Sequence, residues 1–165
     1  MSNYLSTPEG KEKLELELRR LKEVERLKII KDIAEARAHG DISENSEYED
    51  AKERQAMCEG RIKDIVAKLS MIQVIDVTTL PGQDLDSDDE NKVVVFGSSV
   101  VVEDEDENTV TYRIVGTDES DVSLGQISYR TPVAKALLGK CPGDEIEVEL
   151  PSSQKTFEIL EVHYR

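Results

Sequence analysis

The sequence is poor in the large side chains that build a big hydrophobic core. It has no tryptophan and only two phenylalanines, while more than a third of its residues are charged. One large globular core is therefore not expected, and an elongated module beside a compact domain of modest size fits the composition better. The only cysteines, Cys58 and Cys141, lack the spacing of a metal site, and we expect free thiols in a reducing compartment.

Long apolar runs and excess positive charge are also missing. No run approaches the roughly 18 apolar residues of a membrane span, and the first residues lack the basic-then-apolar order of a signal peptide. We therefore expect a cytoplasmic protein without membrane contact. The net charge of −15 argues against direct binding to duplex nucleic acid, which depends on neutralising phosphates.

The charge is divided unevenly along the chain. Residues 1–78 carry 14 basic and 17 acidic side chains, whereas residues 79–165 carry 7 and 19. This difference predicts two domains, 1–78 and 92–165, joined by an acidic linker over 79–91.

The first domain has two segments with helical periodicity. Thr7 and Pro8 predict a helix start, and Gly40 predicts its end. The apolar positions between them are often three residues apart, a spacing that predicts a locally overwound or bent helix. We expect this seam to contain Leu14, Leu18, Leu21, Val24, Leu27, Ile30 and either Ile33 or Ala34.

The second helical segment is more regular. From Tyr48 to Ile72 its apolar positions alternate in steps of three and four, as in a coiled coil, and Ser46 with Glu49 fits a capping box at its start. Two such segments joined by a short turn predict an antiparallel helical hairpin. Two arms of a larger helical bundle are the alternative, but no third long helix is indicated.

The second domain is predicted to be α+β, with a small antiparallel sheet and one helix. The helix should start at Thr131 and Pro132 and stop at Gly139. The expected strands are Lys92–Phe96, Ser99–Glu103, Thr109–Val115, Gln126–Tyr129, Glu145–Leu150 and Thr156–Val162. We find no nucleophile–base set and no phosphate-binding glycine motif, and His39 and His163 are expected to be surface or packing residues.

The predicted hairpin turn is unusually acidic. The segment Gly40–Asp50 carries five carboxylates and no basic side chain, although the arm before it is mixed and slightly basic. Asp41 and Glu44 lie in the turn itself, where two carboxylates could share a Mg²⁺ ion. Such a pair leaves most metal positions to another molecule, and a solvated charged turn remains the alternative.

Several segments resemble the bacterial transcript-cleavage factors of the Gre family. The most specific is Ala34–Tyr48 (AEARAHGDISENSEY), with its Gly-Asp-x-x-Glu-Asn turn. The resemblance extends in order through nearly the whole chain, in Cys58–Ile62, Gln73–Asp76, Tyr112–Gly116 and Pro132–Lys140.

The resemblance implies an N-terminal coiled coil and a C-terminal FKBP-like domain that binds polymerase. It implies a monomeric factor, not itself an enzyme, that enters the secondary channel of RNA polymerase and stimulates cleavage of the nascent RNA 3′ end. Asp41 and Glu44 would help hold a second Mg²⁺, shared with the polymerase, and the attacking water. Contacts to RNA or within the tip would come from Arg37, Asn45, Ser46 and Lys52.

Two departures from the family pattern stand out. The acidic segment 83–91 is longer than expected for the family. Position 52 is a lysine, which cannot make the bidentate phosphate contact of an arginine. The main alternative is a family paralogue that occupies the same channel and inhibits the polymerase. A chaperone-like protein with an FKBP-type domain would need more aromatic residues for a proline-binding pocket.

Overall fold

The computed structural model describes residues 4–40, 45–79 and 92–165. The chain forms two compact units, one of Met1–Gly10 with Gln73–Arg165 and one of Lys11–Ile72. The predicted acidic linker lies almost wholly outside the described residues, so its role stays a prediction. Within the part of the chain that the structure describes, no helix is both long and apolar enough to cross a membrane.

The secondary structure alternates little between helix and strand: the helices come first and most strands later. The helices are α1 (Pro8–Arg20), α2 (Arg26–Ala38), α3 (Ser46–Met71) and α4 (Pro132–Leu137), and Leu21–Glu25 is a π-helical turn between α1 and α2. The strands are β1 (Tyr4–Ser6), β2 (Ile72–Val74), β3 (Ser99–Glu103), β4 (Thr109–Val115), β5 (Gln126–Ser128), β6 (Glu145–Glu149) and β7 (Gln154–His163). Short 3₁₀ turns occupy Val77–Thr79, Thr117–Glu119 and Val122–Leu124.

The helical unit is an antiparallel hairpin, as predicted. Three ion pairs across it connect residues that run in opposite order along the two arms: Glu17–Arg61 at 2.8 Å, Arg26–Glu59 at 2.8 Å and Asp32–Arg54 at 3.0 Å. The hydrogen bonds from Arg61 hold the pKa of the Glu17 carboxyl below its ordinary value. These pairs are partly exposed, so each contributes modestly to stability but helps fix the pairing of the arms.

The seam of the first arm differs from the predicted one. The buried core of the hairpin contains Leu14, Leu21, Ile29, Ile33, Ala51, Cys58, Ile62 and Ile65. By contrast, Val24, Leu27 and Ile30 have exposed fractions of 56%, 59% and 48%. The prediction that these three residues belong to the seam is therefore wrong.

The π-helical turn is the physical reason for this difference. An uninterrupted α-helix continuing from Leu21 would present Glu25, Lys28, Asp32 and Glu35 to the other arm. A π turn holds one more residue than an α turn and advances the seam by one position. That shift replaces the polar set with Arg26, Ile29, Ile33 and Ala36. The helix is locally underwound here, so the expected overwinding is wrong, while the alternative of a local bend stays a prediction.

The second unit is a curled, mixed sheet with one helix against it. The strand order is β5-β4-β3-β7-β6, and α4 contacts β6. The core beneath α4 includes Val100, Val102, Ile114, Ala134, Leu137, Ile146, Phe157 and Ile159. The α+β arrangement agrees with the sequence prediction.

Two details of this sheet correct the prediction. Strand β5 runs parallel to β4, with Arg113 opposite Gln126, because residues 116–125 carry the chain back along the sheet edge before β5 begins. The segment 92–96 is not a strand. Its Val94 instead exchanges backbone hydrogen bonds with Gly139 and Lys140, after α4, at 2.9 and 2.8 Å.

The start of α1 is fixed by a carboxylate from far along the chain. Thr7 caps the helix, accepting a hydrogen bond from the Gly10 N–H at 3.2 Å, as the sequence predicts. The Glu119 carboxylate accepts from the Thr7 N–H at 3.1 Å, from the Thr7 hydroxyl and from the Gly116 N–H at 2.7 Å. A Cβ on Gly10 would overlap the Glu119 carboxyl group, so a larger residue at position 10 would displace the side chain that bonds Thr7 and Gly116.

The sheet also places three glutamates side by side. Glu103 in β3 is opposite Glu158 in β7, which is in turn opposite Glu145 in β6. Like charges directly opposite each other destabilise a sheet by about 0.2–1 kcal/mol per pair. Because Glu158 belongs to both pairs, we expect Glu158→Gln to raise the free energy of unfolding by about 0.4–2 kcal/mol, measured by urea denaturation at low ionic strength.

The matched control is Glu149→Gln, because Glu149 lies opposite Gln154 rather than a carboxylate. The difference between the two variants should shrink at about 1 M salt, where exposed charges are screened over roughly 3 Å. Equal effects of the two substitutions at low salt would contradict the proposed repulsion.

Candidate functional site

The candidate site is the turn that joins the two arms of the hairpin. Asp41 and Glu44, the predicted metal-binding pair, lie outside the described residues, so their arrangement stays a prediction. The structure does describe both ends of the turn. Helix α2 ends at Ala38 and helix α3 begins at Ser46. Both boundaries agree with the sequence, in which Gly40 indicates a helix stop and acidic residues indicate a helix start.

Asn45 joins the two arms beside the turn. Its side-chain oxygen accepts hydrogen bonds from the N–H groups of Glu47 and Tyr48, at 3.1 and 3.2 Å, and so caps α3. Its side-chain nitrogen donates to the Ala36 carbonyl at 2.7 Å. The predicted capping box at Ser46 is wrong, because the cap lies one residue earlier. Asparagine fits that position well, since it is among the strongest N-caps.

Arg37 and Gly40 shape the end of α2. The Arg37 guanidinium lies over the Tyr48 ring, 5.8 Å from its centre, which ties the last turn of α2 to the first turn of α3. Gly40 has a φ of +106°, a conformation that side chains rarely adopt. Together these residues bring the chain out of α2 just before the acidic turn.

Ser46 and Lys52 lie on α3 and are exposed. The Lys52 ammonium is 3.0 Å from the side-chain oxygen of Gln55, one turn further along the helix. The exposed Glu47 and Glu49 occupy the first turn of α3, where negative charge favours the helix dipole. Tyr48 thus contacts both Arg37, through its ring, and Asn45, through its N–H group. Lys52 lies one helical turn further along α3.

A groove of about 330 Å³ lies between the arms behind the turn. It is lined by Asp32, Glu35, Ala36, His39, Glu47, Asp50 and Arg54. Two of these lining residues, Asp32 and Arg54, form the 3.0 Å ion pair between the arms. Sequence reasoning missed this groove, although its acidic residues recur at helical spacing on both arms. Within residues 4–40, 45–79 and 92–165, no three His, Cys, Asp or Glu side chains are grouped to hold a metal.

The cysteines and histidines lie away from a common site. The Cys58 thiol is buried in the hairpin core, where its sulfur is 3.9 Å from the Leu21 carbonyl oxygen. Cys141 is partly exposed in the other unit. His163 is 2.8 Å from Glu161 on the same strand, and His39 borders the groove behind the turn. No nucleophile–base pair links these four residues.

Comparison with known families matches both units. Residues 4–74 match the model of the N-terminal domain of transcription elongation factors. Residues 89–164 match the C-terminal model of the transcription elongation factors GreA and GreB. The two matches follow the order of the hairpin and the sheet unit along the chain.

Full-length relatives agree with these matches. The factor named transcription elongation factor GreA is 47% identical in Psychrobacter cryohalolentis, over 99% of both chains. The protein of the same name in Verminephrobacter eiseniae is 50% identical over the full length of both chains. The chain therefore belongs to the GreA/GreB family of transcription elongation factors. The relatives that match over the full length carry the name GreA.

A solved structure from the same family is more distant. The GreA factor homolog 1 of Thermus thermophilus is 26% identical over 98% of this chain and 99% of its own, with a TM-score of 0.42.

The two roles of Asn45, capping α3 and bonding the Ala36 carbonyl, can be tested separately by substitution. Asn45→Ala removes the cap of α3 and the bond to Ala36, and should lower the free energy of unfolding by about 1–2 kcal/mol. Asn45→Asp keeps the acceptor but loses the donor, so it should keep the cap and lose the link between the arms. Urea denaturation measures the first effect, and amide hydrogen exchange at residues 36–40 measures the second.

The expected pattern is faster exchange at residues 36–40 in both variants, with the larger loss of stability in Asn45→Ala. If Asn45→Asp exchanged as slowly as the unmodified protein, the bond to Ala36 would not be holding the end of α2.

Proposed function

We propose that this protein binds RNA polymerase and stimulates cleavage of the 3′ end of nascent RNA in backtracked complexes. Its membership of the GreA/GreB family supports the partner and the stage of transcription. The hairpin would enter the secondary channel of the polymerase, and the acidic turn would reach the active centre. The protein would act as a cofactor of the polymerase's own endonucleolytic activity, as a cytoplasmic monomer.

The observation that carries this proposal is the way the acidic turn is held. Asn45 connects α3 to the Ala36 carbonyl, and Arg37 lies over Tyr48. These contacts join the two arms at the described residues on either side of segment 41–44, which contains Asp41 and Glu44. A turn between two arms that are joined at its borders would suit a positioning role better than that of a solubilising loop.

The donor set suits a magnesium ion that the protein shares with the polymerase. Asp41 and Glu44 offer only carboxylate oxygens, the ligands that Mg²⁺ prefers, and two carboxylates leave positions for water and for a partner's ligands. When held there, such an ion would stabilise charge on the attacking and leaving oxygens of the phosphodiester. On this chain, Asp41 and Glu44 would hold and orient, while the polymerase would supply the rest of the site.

Basic residues behind the turn would contact the displaced RNA. Arg37 is exposed, with its guanidinium carbon 5.8 Å from the centre of the Tyr48 ring, and its N–H groups would bind a phosphate. Lys52 is exposed one turn further along α3 and would act as a point charge. Ser46, also exposed at the start of α3, would contact RNA or water beside the turn.

The test uses backtracked elongation complexes with 3′-labelled RNA and Mg²⁺. The unmodified protein should shorten the RNA, while Asp41→Asn and Glu44→Gln should each lower the cleavage rate by about 100-fold or more, as expected when a transition-state contact is lost. Polymerase binding, measured by competition with a fluorescent unmodified protein, should stay within about threefold because each substitution preserves shape.

Glu47→Gln and Glu49→Gln are the matched controls, because each removes one carboxylate from the same region but from the first turn of α3. They should cleave at nearly the original rate. Inhibition of the polymerase without cleavage would instead indicate a channel-blocking paralogue and would refute the proposal.

A further inference from the structure

The first arm of the hairpin has a second apolar stripe, on its outer side. Ile29 and Ile33 pack towards α3 and belong to the buried stripe. The outer stripe consists of Val24, Leu27 and Ile30, each about half exposed. Single exposed apolar residues are ordinary on a protein surface, but three large ones within two helical turns indicate a contact surface.

Charged residues of opposite sign lie at the two ends of the outer stripe. Lys31 follows Leu27 by one helical turn and lies about 40° from it around the axis, at roughly 100° per residue. Glu23 precedes Leu27 by about one turn and belongs to the π-helical turn. Both charged side chains are exposed. The outer side of the arm therefore has an acidic end, an apolar centre at Leu27 and a basic end.

This order is complementary to its own reverse. If a second copy lies antiparallel with a two-fold axis at Leu27, Glu23 comes level with Lys31 of that copy. Val24 then comes level with Ile30 of the second copy, and the two-fold symmetry repeats both pairings at the other end. A parallel copy would instead bring like charges level at both ends, which opposes association. The charges thus favour an antiparallel second copy over a parallel one.

The next turns on either side continue the pattern. Positions equally far from Leu27 come level in such a pair. The basic Arg19 is thereby matched with the acidic Glu35. Further out, the apolar Leu16 is matched with Ala38, and all four of these residues are exposed. The outer side of the arm is therefore complementary to itself both in charge and in apolar character.

We propose that two copies of this protein associate through the outer stripe as an antiparallel pair of hairpins. Leu27 lies on the two-fold axis and contacts its counterpart. At each end of the stripe, Glu23 forms an ion pair with Lys31 of the other copy. The pair between Lys31 and Glu35 within one chain, at 3.9 Å, is exposed and weak, so it leaves Lys31 available to the second copy.

The association is weak and reversible. Each copy contributes a narrow apolar stripe and partly solvated ion pairs, which is less than the interface of a permanent dimer. We expect half of the protein to be paired at a concentration on the order of 100 µM. A channel that admits one hairpin excludes two side by side, so the pair would have to dissociate before the protein acts. That consequence rests on the proposed function, in which the monomer acts, whereas the pairing itself does not.

Sedimentation equilibrium of the full chain over about 5–500 µM measures the pairing. Leu27→Ser removes the contact on the axis and should weaken association at least about tenfold. Glu23→Lys and Lys31→Glu each bring like charges level at both ends, and each should weaken association about tenfold. The matched control, Val66→Ser, removes an exposed apolar side chain of α3 and should leave association unchanged.

Two combinations of the charge variants test the antiparallel arrangement. The double substitution of Glu23→Lys with Lys31→Glu restores opposite charges at both ends, and association should return to within about threefold of that of the unmodified protein. An equal mixture of the two single variants should pair as well, because each copy then carries the sign that the other lacks. Circular dichroism confirms that each variant is folded before the association constants are compared.

A protein that stays monomeric up to about 500 µM would overturn the proposal, as would a double substitution or a mixture that fails to restore pairing. Equal weakening by Val66→Ser would also overturn it, because association would then not depend on the outer stripe. Since sedimentation is measured without polymerase, these failures are distinct from a failure to stimulate cleavage.

Discussion

The hairpin depends on the helical phase of its first arm, that is, on which residues of that arm face α3. An α-helix turns once every 3.6 residues, so the apolar residues that face α3 must recur at that interval or the helix must change its winding. This sequence does not keep the interval after Leu21, and the π-helical turn restores it by holding one more residue. The burial of Ile29 and Ile33 follows from that turn, as does the pairing of Arg26 with Glu59.

The same constraint reaches the candidate site. Because the seam continues in phase to Ala36, its carbonyl lies where the Asn45 side chain can donate to it, and Arg37 comes to lie over Tyr48. The described residues on either side of the acidic turn are therefore joined by contacts that depend on the register of a helix more than ten residues long. In the proposed function, Asp41 and Glu44 provide half of a metal site whose other half belongs to the polymerase.

Local signals in the sequence predicted most of the fold. The helix start at Thr7 and Pro8, the stop at Gly40 and the helix capped by Thr131 depend on neighbouring residues, and all three are confirmed. The pairing of the two helical segments, which follows from their apolar periodicity and the short turn between them, is also confirmed. The π-helical turn was missed because the first arm has two apolar stripes, and only packing against α3 decides between them. Parallel pairing of β5 was missed because it depends on how residues 116–125 fold, and the Asn45 cap because Ser46 offered a competing motif.

The most direct test of the account is the magnesium dependence of RNA cleavage in backtracked complexes. If Asp41 and Glu44 help to hold a shared ion, the unmodified protein should lower the Mg²⁺ concentration for half-maximal cleavage by about tenfold or more, corresponding to roughly 1.4 kcal/mol of added ion binding. Asp41→Asn should return that concentration to the value of the polymerase alone. A rate enhancement with the same half-maximal Mg²⁺ concentration in the presence and absence of the protein would contradict the shared metal site.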